Sequence, residues 1–516
     1  MPNILKINDA AWLFAETDRT PMQVGMLATF TMPEDADECY LEDMVNRWRE
    51  ARTFKPPFNY VLRGLGLPRW KELSDEEIDL DYHLRHSAVP SPGGERELGV
   101  LVSRLHSQRL DRRYPLWECH IIEGVAPGKW SLYMKAHHSQ IDGVGGIRMA
   151  KRMFSVDPST RDMLPPWAVG TSGVDQSGVP PRAHVTDITP VREENPGVLD
   201  TVVGGVRATT SMVGALTKTY AETLVGAGER RRAIPYRAPR SVLNGRINAP
   251  RRFATQRYEI DRLRAVARAA EGSINDVFLA ICGGALRKYL EDLDALPRDS
   301  LTANVPVSVR AEGEAGVGNA ITFLYAKLGT DIEDPVERIK AIRESTQLGK
   351  SRLPHGPAPM MDAYTAALMG PFLGQAMAGV GGVGSPAFNA VISNVPGFQE
   401  QRYFDGSLLE AYYPLSLLFH GQALNITAVS NAGSFCVGYT GSRDAIPHLQ
   451  RIAVHSGEAL EELESALGLT WTETDAAKAQ MPSQPKPGAE AAPRSGSGAG
   501  SGPKKRASTR RTTTKP

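Results

Sequence analysis

Apolar and polar positions in the first 160 residues follow two periods. Apolar residues that recur every three or four positions predict helices, and shorter apolar or alternating runs predict strands. The predicted elements are strands at 24–32, 117–123 and 130–138 and helices at 40–53 and 95–109. Their alternation along the chain predicts an α/β fold in which helices cover a sheet.

A similar pattern resumes near residue 251, after a proline-rich stretch in which only residues 198–225 predict a helix. From there the pattern predicts strands at 254–260, 302–309, 321–328, 390–394, 424–430 and 434–440, and helices at 261–270, 275–290, 335–348 and 446–467. Roughly 450 residues exceed what one hydrophobic core supports. We therefore predict two domains, at 1–185 and 251–470, joined by a linker at 186–250.

One segment of the second half lacks charge over an unusual length. Residues 363–399 contain no Asp, Glu, Lys or Arg, but they contain three prolines and seven glycines. A membrane-spanning helix needs about 20 apolar residues with an intact backbone ladder, so this segment does not predict one. Two interpretations stay open: a buried or surface-seated helix followed by a Gly-rich loop and a strand, or an apolar surface that contacts lipid or lines an acyl tunnel.

The formal net charge of +1 hides an uneven distribution. Residues 476–516 carry nine basic side chains and one acidic one, a net charge of +8, and the remaining 475 residues carry −7. Nucleic-acid-binding proteins usually show a clear basic excess, so no nucleic-acid partner is predicted. The tail is rich in Pro, Gly, Ser, Ala and Thr, which predicts disorder. Its basic cluster at 504–511 is either a contact for anionic lipid or a solvated tail without a role.

Cysteine usage and the N-terminus add two expectations. The four cysteines are widely spaced and form neither a disulfide framework nor a CxxC metal site. Residues 1–20 contain four charged side chains besides Lys6 and no apolar run of the kind that a secretory signal needs. We therefore expect a cytoplasmic protein.

Candidate chemistry is concentrated in residues 131–143, SLYMKAHHSQIDG. If the first eight of them form a strand, successive side chains point to opposite faces. His138 then lies on the apolar face and His137 on the polar one. A partly buried neutral imidazole at the end of a strand is a suitable general base near pH 7, so His138 is the candidate catalytic residue.

Other interpretations of this segment compete. A histidine near a strand end is often only a satisfied structural residue. His137, His138 and Asp142 would together supply two imidazoles and one carboxylate to a metal ion, although histidines on opposite faces disfavour that site. Asp142 and Gly143 would also form a plain turn, and Asp142 would orient either the loop, through an arginine, or the imidazole directly.

A second polar motif, Ser273-Ile274-Asn275-Asp276, stands at the start of the helix predicted at 275–290. Serine three residues before an acidic side chain is typical of a capping box, which satisfies the free N–H groups of a helix start. The residues alone therefore favour a structural role for Asp276.

Residues 137–143, HHSQIDG, match the HHxxxDG motif of the acyl-CoA-dependent acyltransferase superfamily, which includes chloramphenicol acetyltransferase and peptide-synthetase condensation domains. The surrounding residues resemble one branch closely, the bacterial bifunctional wax ester synthase/diacylglycerol O-acyltransferases. The supporting segments are PMQVG at 21–25, LD at 110–111, PLWE at 115–118, SINDV at 273–277, PVSVR at 306–310, GN at 318–319, SNVPG at 393–397, PLS at 414–416 and LNI at 424–426.

This resemblance implies a fold, an activity and roles for residues. The fold would be α/β, with two chloramphenicol-acetyltransferase-like domains, mixed sheets flanked by helices and an active-site channel at the domain interface. His138 would be the proton acceptor, with His137, Asp142 and Gly143 as supporting motif residues. Asn275 and Asp276 would lie near the channel, where Asn275 would donate a hydrogen bond to substrate.

The implied reaction is direct transfer of an acyl group from acyl-CoA, as co-substrate, to diacylglycerol or a long-chain fatty alcohol. No bound cofactor and no metal are expected, and the enzyme would sit peripherally on the inner membrane face or on lipid inclusions. Two alternatives remain: a condensation-type acyltransferase that uses carrier-protein thioesters, and a non-catalytic lipid-droplet protein.

Overall fold

The computed structural model of the chain describes residues 3–4, 7–64, 68–171, 232–308, 321–351, 353 and 358–470. Several sequence-based predictions lie outside these ranges. They are the helix at 198–225, most of the linker at 186–250, the PVSVR end at 309–310, the GN pair at 318–319 and the basic tail at 476–516.

Strands and helices alternate through the first half, as the sequence predicts. The described elements begin with β1 (Asn3–Ile4), α1 (Ile7–Ala15), β2 (Gln23–Thr31), α2 (Tyr40–Glu50), β3 (Tyr60–Arg63) and β4 (Arg69–Glu72). They continue with α3 (Leu80–His83), β5 (Leu84–Ala88), α4 (Glu95–Ser107), β6 (Trp117–Ala126), β7 (Lys129–His137), α5 (Gly143–Met153) and α6 (Pro166–Val169).

The second half begins with β8 (Arg251–Glu259), α7 (Ile260–Ala269), α8 (Ile274–Asp292), β9 (Thr302–Ser308), β10 (Ile321–Lys327) and α9 (Pro335–Ser351). It ends with α10 (Ala358–Met377), β11 (Ala390–Phe398), β12 (Tyr403–Phe404), β13 (Ser407–Leu415), β14 (Leu424–Asn431), β15 (Ser434–Ser442) and α11 (Leu449–Ala466). The predicted elements within the described residues are present, with ends that differ by a few residues.

Two six-stranded sheets form the body. The first has the order β12-β13-β2-β7-β6-β5, with β5 parallel to β6 and the other neighbours antiparallel. The second has the order β10-β9-β11-β14-β15-β8, with β11 parallel to both of its neighbours. Helices α8, α9 and α11 pack on one another in the second half. These are mixed sheets flanked by helices, which confirms the predicted α/β fold class.

Strands β12 and β13 cross from the second half of the chain into the first sheet. β13 pairs with β2 over residues 408–415, and it also contacts β15 and β14 of the second sheet. The boundary predicted at 251–470 does not anticipate this exchange, because pairing between strands almost 400 residues apart leaves no local pattern. The two halves therefore share backbone hydrogen bonds.

Helix α4 ties the halves together from the other side. The Ser103 and Ser107 hydroxyls in its last two turns accept hydrogen bonds from the backbone N–H groups of Phe253 (2.9 Å) and Arg251 (2.8 Å) in β8. Each serine hydroxyl also donates to the carbonyl four residues earlier in α4. Each hydroxyl thus donates one hydrogen bond and accepts another. These bonds fix the end of α4 against β8 of the second sheet.

Both faces of β7 are buried, including the polar face that carries Lys135 and His137. Lys135, on the polar face, has no exposed surface, and its Nζ donates to the carbonyls of Leu105 (3.0 Å) and Gln108 (2.8 Å) at the end of α4. Its ammonium also lies 3.1 Å from the Glu118 carboxylate. A buried charge is tolerated only with such partners, so this face packs under α4 through polar contacts.

The uncharged segment forms helix α10, then a Gly-rich loop, then strand β11. This order of elements is the one that the first of the two open interpretations predicted, a helix followed by a Gly-rich loop and a strand. Among the described residues, no helix has the length and apolar character that crossing a bilayer requires.

Candidate active site

His138 lies one residue beyond the end of β7, at the junction of the two halves. Its backbone N–H donates to the Met22 carbonyl (2.8 Å), in the segment that leads into β2. Gly143, five residues on, starts α5 beside β11: a Cβ at this glycine would lie 4.0 Å from Val395. His138 therefore lies close to where α5 meets β11 of the second half, and the active-site channel stays a prediction.

The His138 ring is covered on one face by an aromatic side chain that sequence analysis missed. Trp12 of α1 stacks on the imidazole, with ring centroids 4.3 Å apart and planes inclined by 17°. Trp12 also lies 6.1 Å from Phe419, in the loop between β13 and β14. The indole fixes the plane of the imidazole and excludes water from that face.

Burial and a local carbonyl define the state of the His138 ring. Burial lowers the pKa of His138 below its ordinary 6.5, and the residue's own backbone carbonyl and the Asp142 charge only partly oppose that effect. Nδ1 is buried and has no partner on another described residue, and the residue's own backbone carbonyl is the acceptor available to it. The ring is therefore neutral at pH 7, with the proton on Nδ1 and a free lone pair on Nε2.

The neighbouring His137 holds the opposite tautomer. Its Nδ1 accepts a hydrogen bond from the Ser139 backbone N–H (3.2 Å) and lies 2.7 Å from the Ser139 hydroxyl. An Nδ1 that accepts leaves the proton on Nε2, which lies 3.6 Å from Glu16 Oε1. The two adjacent imidazoles thus differ in their contacts: Ser139 and Glu16 hold the His137 ring, and the His138 ring keeps a free nitrogen.

Glu16 is a buried carboxylate at the centre of an ionic cluster behind the histidines, whose arginines are partly exposed. Its Oε2 lies 2.9 Å from Arg109 Nε and 2.8 Å from Arg112 Nη2, and its Oε1 accepts from the Met22 N–H at 3.3 Å. Burial on its own would raise its pKa, but His137, Arg109 and Arg112 outweigh burial and lower it from 4.5 to about 2. The carboxylate is therefore ionised throughout the physiological range.

Asp142 is the N-cap of α5. Its Oδ1 accepts the Gly145 N–H at 2.6 Å, and its carbonyl accepts the Gly146 N–H at 2.8 Å. A Cβ at Gly145 would lie 3.0 Å from the same carboxylate oxygen, so the close approach favours glycine there. The aspartate thus holds the turn between His138 and α5 by capping, and among the described residues its carboxylate has neither an arginine partner nor a hydrogen bond to the imidazole.

Asp276 completes the capping box that the sequence predicts. Its Oδ2 accepts from the Ser273 N–H (2.9 Å) and hydroxyl (2.7 Å), and its Oδ1 accepts from the Thr346 hydroxyl of α9 (2.9 Å). The Ser273 side chain in turn accepts from the Asp276 N–H. With both carboxylate oxygens engaged, Asp276 anchors α8 to α9, and Asn275 is the substrate-contact candidate of the pair.

Asn275 is exposed at the start of α8 and faces β11. Its Oδ1 accepts a hydrogen bond from Asn394 Nδ2 at 2.7 Å, which leaves the Asn275 amide hydrogens available to another acceptor. Asn394 precedes Val395, the neighbour of Gly143. The structure therefore brings the SNVPG, SIND and HHxxxDG segments together, although they are more than 100 residues apart in the chain.

An apolar cluster extends from Trp12 to helix α10. Phe372 of α10 packs edge-on against Phe419 at 5.3 Å, and Phe419 contacts Trp12. Met22 and Leu417 are buried in the same cluster. Packed apolar side chains thus connect α10 to the Trp12 ring that covers His138.

Sequence reasoning missed Trp12 and Glu16 because the residues around them carry no motif, and it missed Arg109 and Arg112 although they flank the LD pair at 110–111. The run of apolar residues from Ala10 to Ala15 is the one available signal for a buried helix, and the predicted elements began only at residue 24. The two-His, one-carboxylate metal interpretation also has no support in the described residues, where no group of three or more His, Cys, Asp or Glu side chains is arranged to hold a metal ion.

Known proteins resemble this chain over most of its length. Residues 5–278 match the wax ester synthase/diacylglycerol acyltransferase catalytic domain, and residues 317–464 match the C-terminal domain that accompanies it. A Mycobacterium tuberculosis protein named as a diacylglycerol O-acyltransferase is 40% identical over 488 residues, which cover 89% of this chain and 97% of that protein.

Solved structures agree with the sequence comparison. The wax ester synthase/diacylglycerol acyltransferase from Marinobacter aquaeolei matches with a TM-score of 0.71 and 34% identity, over 90% of this chain and 99% of that one. The first condensation domain of the CDA synthetase matches with a TM-score of 0.52 and 17% identity, over 92% of this chain and 98% of that one. The match to the condensation domain shows a similar fold only.

Proposed function

The chain belongs to the wax ester synthase/diacylglycerol acyltransferase family, and on that premise we propose that it is an O-acyltransferase that esterifies diacylglycerol and long-chain fatty alcohols. The acyl donor is acyl-CoA, used as co-substrate, and the chemistry calls for no bound cofactor. The observation that carries the proposal is His138, a neutral imidazole with a fixed ring plane and a free Nε2 at the junction of the two halves.

The proposed reaction is a direct transfer in which His138 handles one proton. Its Nε2 removes the hydroxyl proton of the acceptor as that oxygen attacks the thioester carbonyl, and a tetrahedral oxyanion forms. The carbon–sulfur bond then breaks, and the imidazolium returns the proton to the leaving thiolate, which departs as coenzyme A. The free amide hydrogens of Asn275 are our candidate donors for substrate binding, since preorganised donors stabilise developing charge.

The test of this function is a product assay with the purified chain. We expect palmitoyl-CoA and hexadecanol to give a wax ester, and palmitoyl-CoA and a diacylglycerol to give triacylglycerol, each with one free thiol released per ester. Thin-layer chromatography and thiol titration measure the two products. Ester formation from a carrier-protein thioester but not from acyl-CoA would favour a condensation-type enzyme instead, and lipid binding without any turnover would favour a lipid-droplet protein.

The pH profile should report the lowered pKa of His138. The reaction needs the neutral imidazole, and burial stabilises that form. We expect kcat/KM for hexadecanol to be constant around neutral pH and to fall only on the acidic side of 6.5, as His138 becomes protonated. An acidic limb with its midpoint above 6.5 would contradict this assignment.

We place the enzyme in the cytoplasm, peripherally associated with the inner membrane face or with lipid inclusions. Its acceptors are apolar, and the tail of residues 476–516 carries a net charge of +8, which suits anionic lipid at about 1 kcal/mol per basic residue near the surface. In this proposal, the basic tail binds the protein to the lipid surface that contains its substrates.

A further inference from the structure

We propose that the end of helix α10 and the loop after it form a membrane-seating surface for a bilayer that contains anionic phospholipid. The surface is made of Met377, Val380 and Val383, with Arg246 at its edge, and we refer to it as the seating loop. This inference rests on the proposed function, because it assigns the route by which a water-insoluble acceptor reaches His138.

The seating loop exposes large apolar side chains next to one another. Met377, Val380 and Val383 are 52%, 50% and 66% exposed. Isolated exposed apolar residues are common on soluble proteins. These three, however, lie within a segment of seven residues at the end of α10 and the start of the following loop. No acidic residue occurs from 363 to 399, so nothing in this segment repels an anionic surface.

The backbone conformation of the loop directs these side chains toward solvent. α10 ends in a Schellman-type turn: Gly379 has φ of 69°, and the Val380 N–H donates to the Gln375 carbonyl at 3.0 Å. Gly381 and Gly382 then pack so closely on His420 and Gly421 that a Cβ at either position would lie 3.0 or 3.1 Å from them. The loop is therefore anchored through its glycines, while its valines face away from the protein.

A basic side chain sits at the edge of this apolar surface. Arg246 is exposed, and its Nη1 donates to the Gly379 carbonyl at 2.8 Å. A guanidinium beside apolar side chains that can enter the acyl region is the arrangement by which peripheral proteins bind anionic lipid. A protein partner would instead call for large aromatic anchors in a packed centre, and the seating loop offers valine, methionine and glycine.

The seating loop is also continuous with the candidate active site. α10 carries Phe372, which contacts Phe419, and Phe419 contacts the Trp12 that stacks on His138. Apolar side chains in contact with one another therefore connect the helix that carries the seating loop to the ring that covers the imidazole. This continuity favours a lipid surface over a second copy of the chain as the occupant.

The test compares two double variants of the full chain in vesicle binding. Val380→Gln with Val383→Gln removes the apolar contact, and Val100→Gln with Val454→Gln is the matched control, since those valines are 54% and 58% exposed on α4 and α11. With vesicles of phosphatidylcholine and phosphatidylglycerol at high salt, which screens the tail, we expect the first variant to bind about tenfold more weakly. The control should bind like the wild type.

A third variant, Arg246→Gln, tests the charge at the edge. We expect it to lower the preference for phosphatidylglycerol over pure phosphatidylcholine vesicles at low salt. Equal binding by the seating-loop and control variants would overturn the inference, and so would a wild-type dimer that the seating-loop variant alone dissociates, because a second copy would then be the occupant.

Activity on a water-soluble acceptor separates this inference from the function on which it rests. With hexanol and octanoyl-CoA in solution, all three variants should turn over like the wild type. If the wild type makes no ester from soluble or vesicle-borne alcohols, the proposed function fails. If it makes ester and the seating-loop variant still binds vesicles normally, only the seating surface fails.

Discussion

Replacing His138 with glutamine should lower kcat for ester formation by about 10³-fold, the usual contribution of a positioned general base. Glutamine fills a similar volume and can still stack under Trp12, so the fold should be kept. It cannot accept the hydroxyl proton and return it to the thiolate. Thiol release from palmitoyl-CoA with hexadecanol measures the loss, and the melting temperature checks folding.

The matched control for this substitution is His86→Gln. His86 is exposed on β5, where its ring lies 3.6 Å from the Glu123 carboxylate. Strand β5 is the edge strand of the first sheet, two strands away from β7. We expect its turnover to match the wild type. A His138→Gln enzyme within tenfold of wild-type kcat would remove His138 from the mechanism, and a wild type without turnover would return the lipid-droplet interpretation.

His138 could be predicted from the sequence because two independent signals meet there. Strand alternation separates the two histidines by face, and the HHxxxDG motif marks the second of them. The alternation places the two histidines on opposite faces of the strand, but it does not show that the polar face is covered too. Lys135 and His137 are both buried. Carbonyls at the end of α4 accept hydrogen bonds from Lys135, whereas Ser139 and Glu16 lie beside the His137 ring.

The supporting residues could not be predicted because tertiary contact alone joins them. Trp12 and Glu16 belong to α1 and its end, more than 100 residues before His138, and β13 reaches the first sheet from the second half of the chain. Asp276 was predictable, since a capping box is a local pattern. Asn275 and Asn394 illustrate the limit: each stands in a recognisable segment, yet the hydrogen bond between them exists only in the fold.

The cluster around Glu16 explains how the HHxxxDG segment is positioned from behind. One carboxylate oxygen receives the Met22 N–H and faces His137 Nε2, and the carbonyl of the same Met22 accepts the His138 N–H. Glu16 therefore restrains the side chain of the first histidine and, through one residue, the backbone of the second. Arg109 and Arg112 neutralise the charge that this arrangement buries.

Glu16→Gln should destabilise the protein by about 3 kcal/mol at pH 7. The pKa of Glu16 in the folded protein is about 2 rather than 4.5, and each unit corresponds to about 1.4 kcal/mol. Because the folded-state pKa is the lower one, this stabilisation is present above pH 4.5 and is lost as the pH falls toward 2. Urea unfolding of both proteins at pH 7 and at pH 3 should therefore show a gap that narrows in acid.

The same variant should also lose about 10- to 100-fold in kcat, because a displacement of the base by about 1 Å costs that much. Since His138 itself is unchanged, the acidic limb of the pH profile should stay below 6.5. Asp18→Asn is the control: Asp18 binds the same Arg109 at 2.7 Å but is almost fully exposed, so it should cost less than about 1 kcal/mol. If both variants behave alike, the buried carboxylate does not position the site.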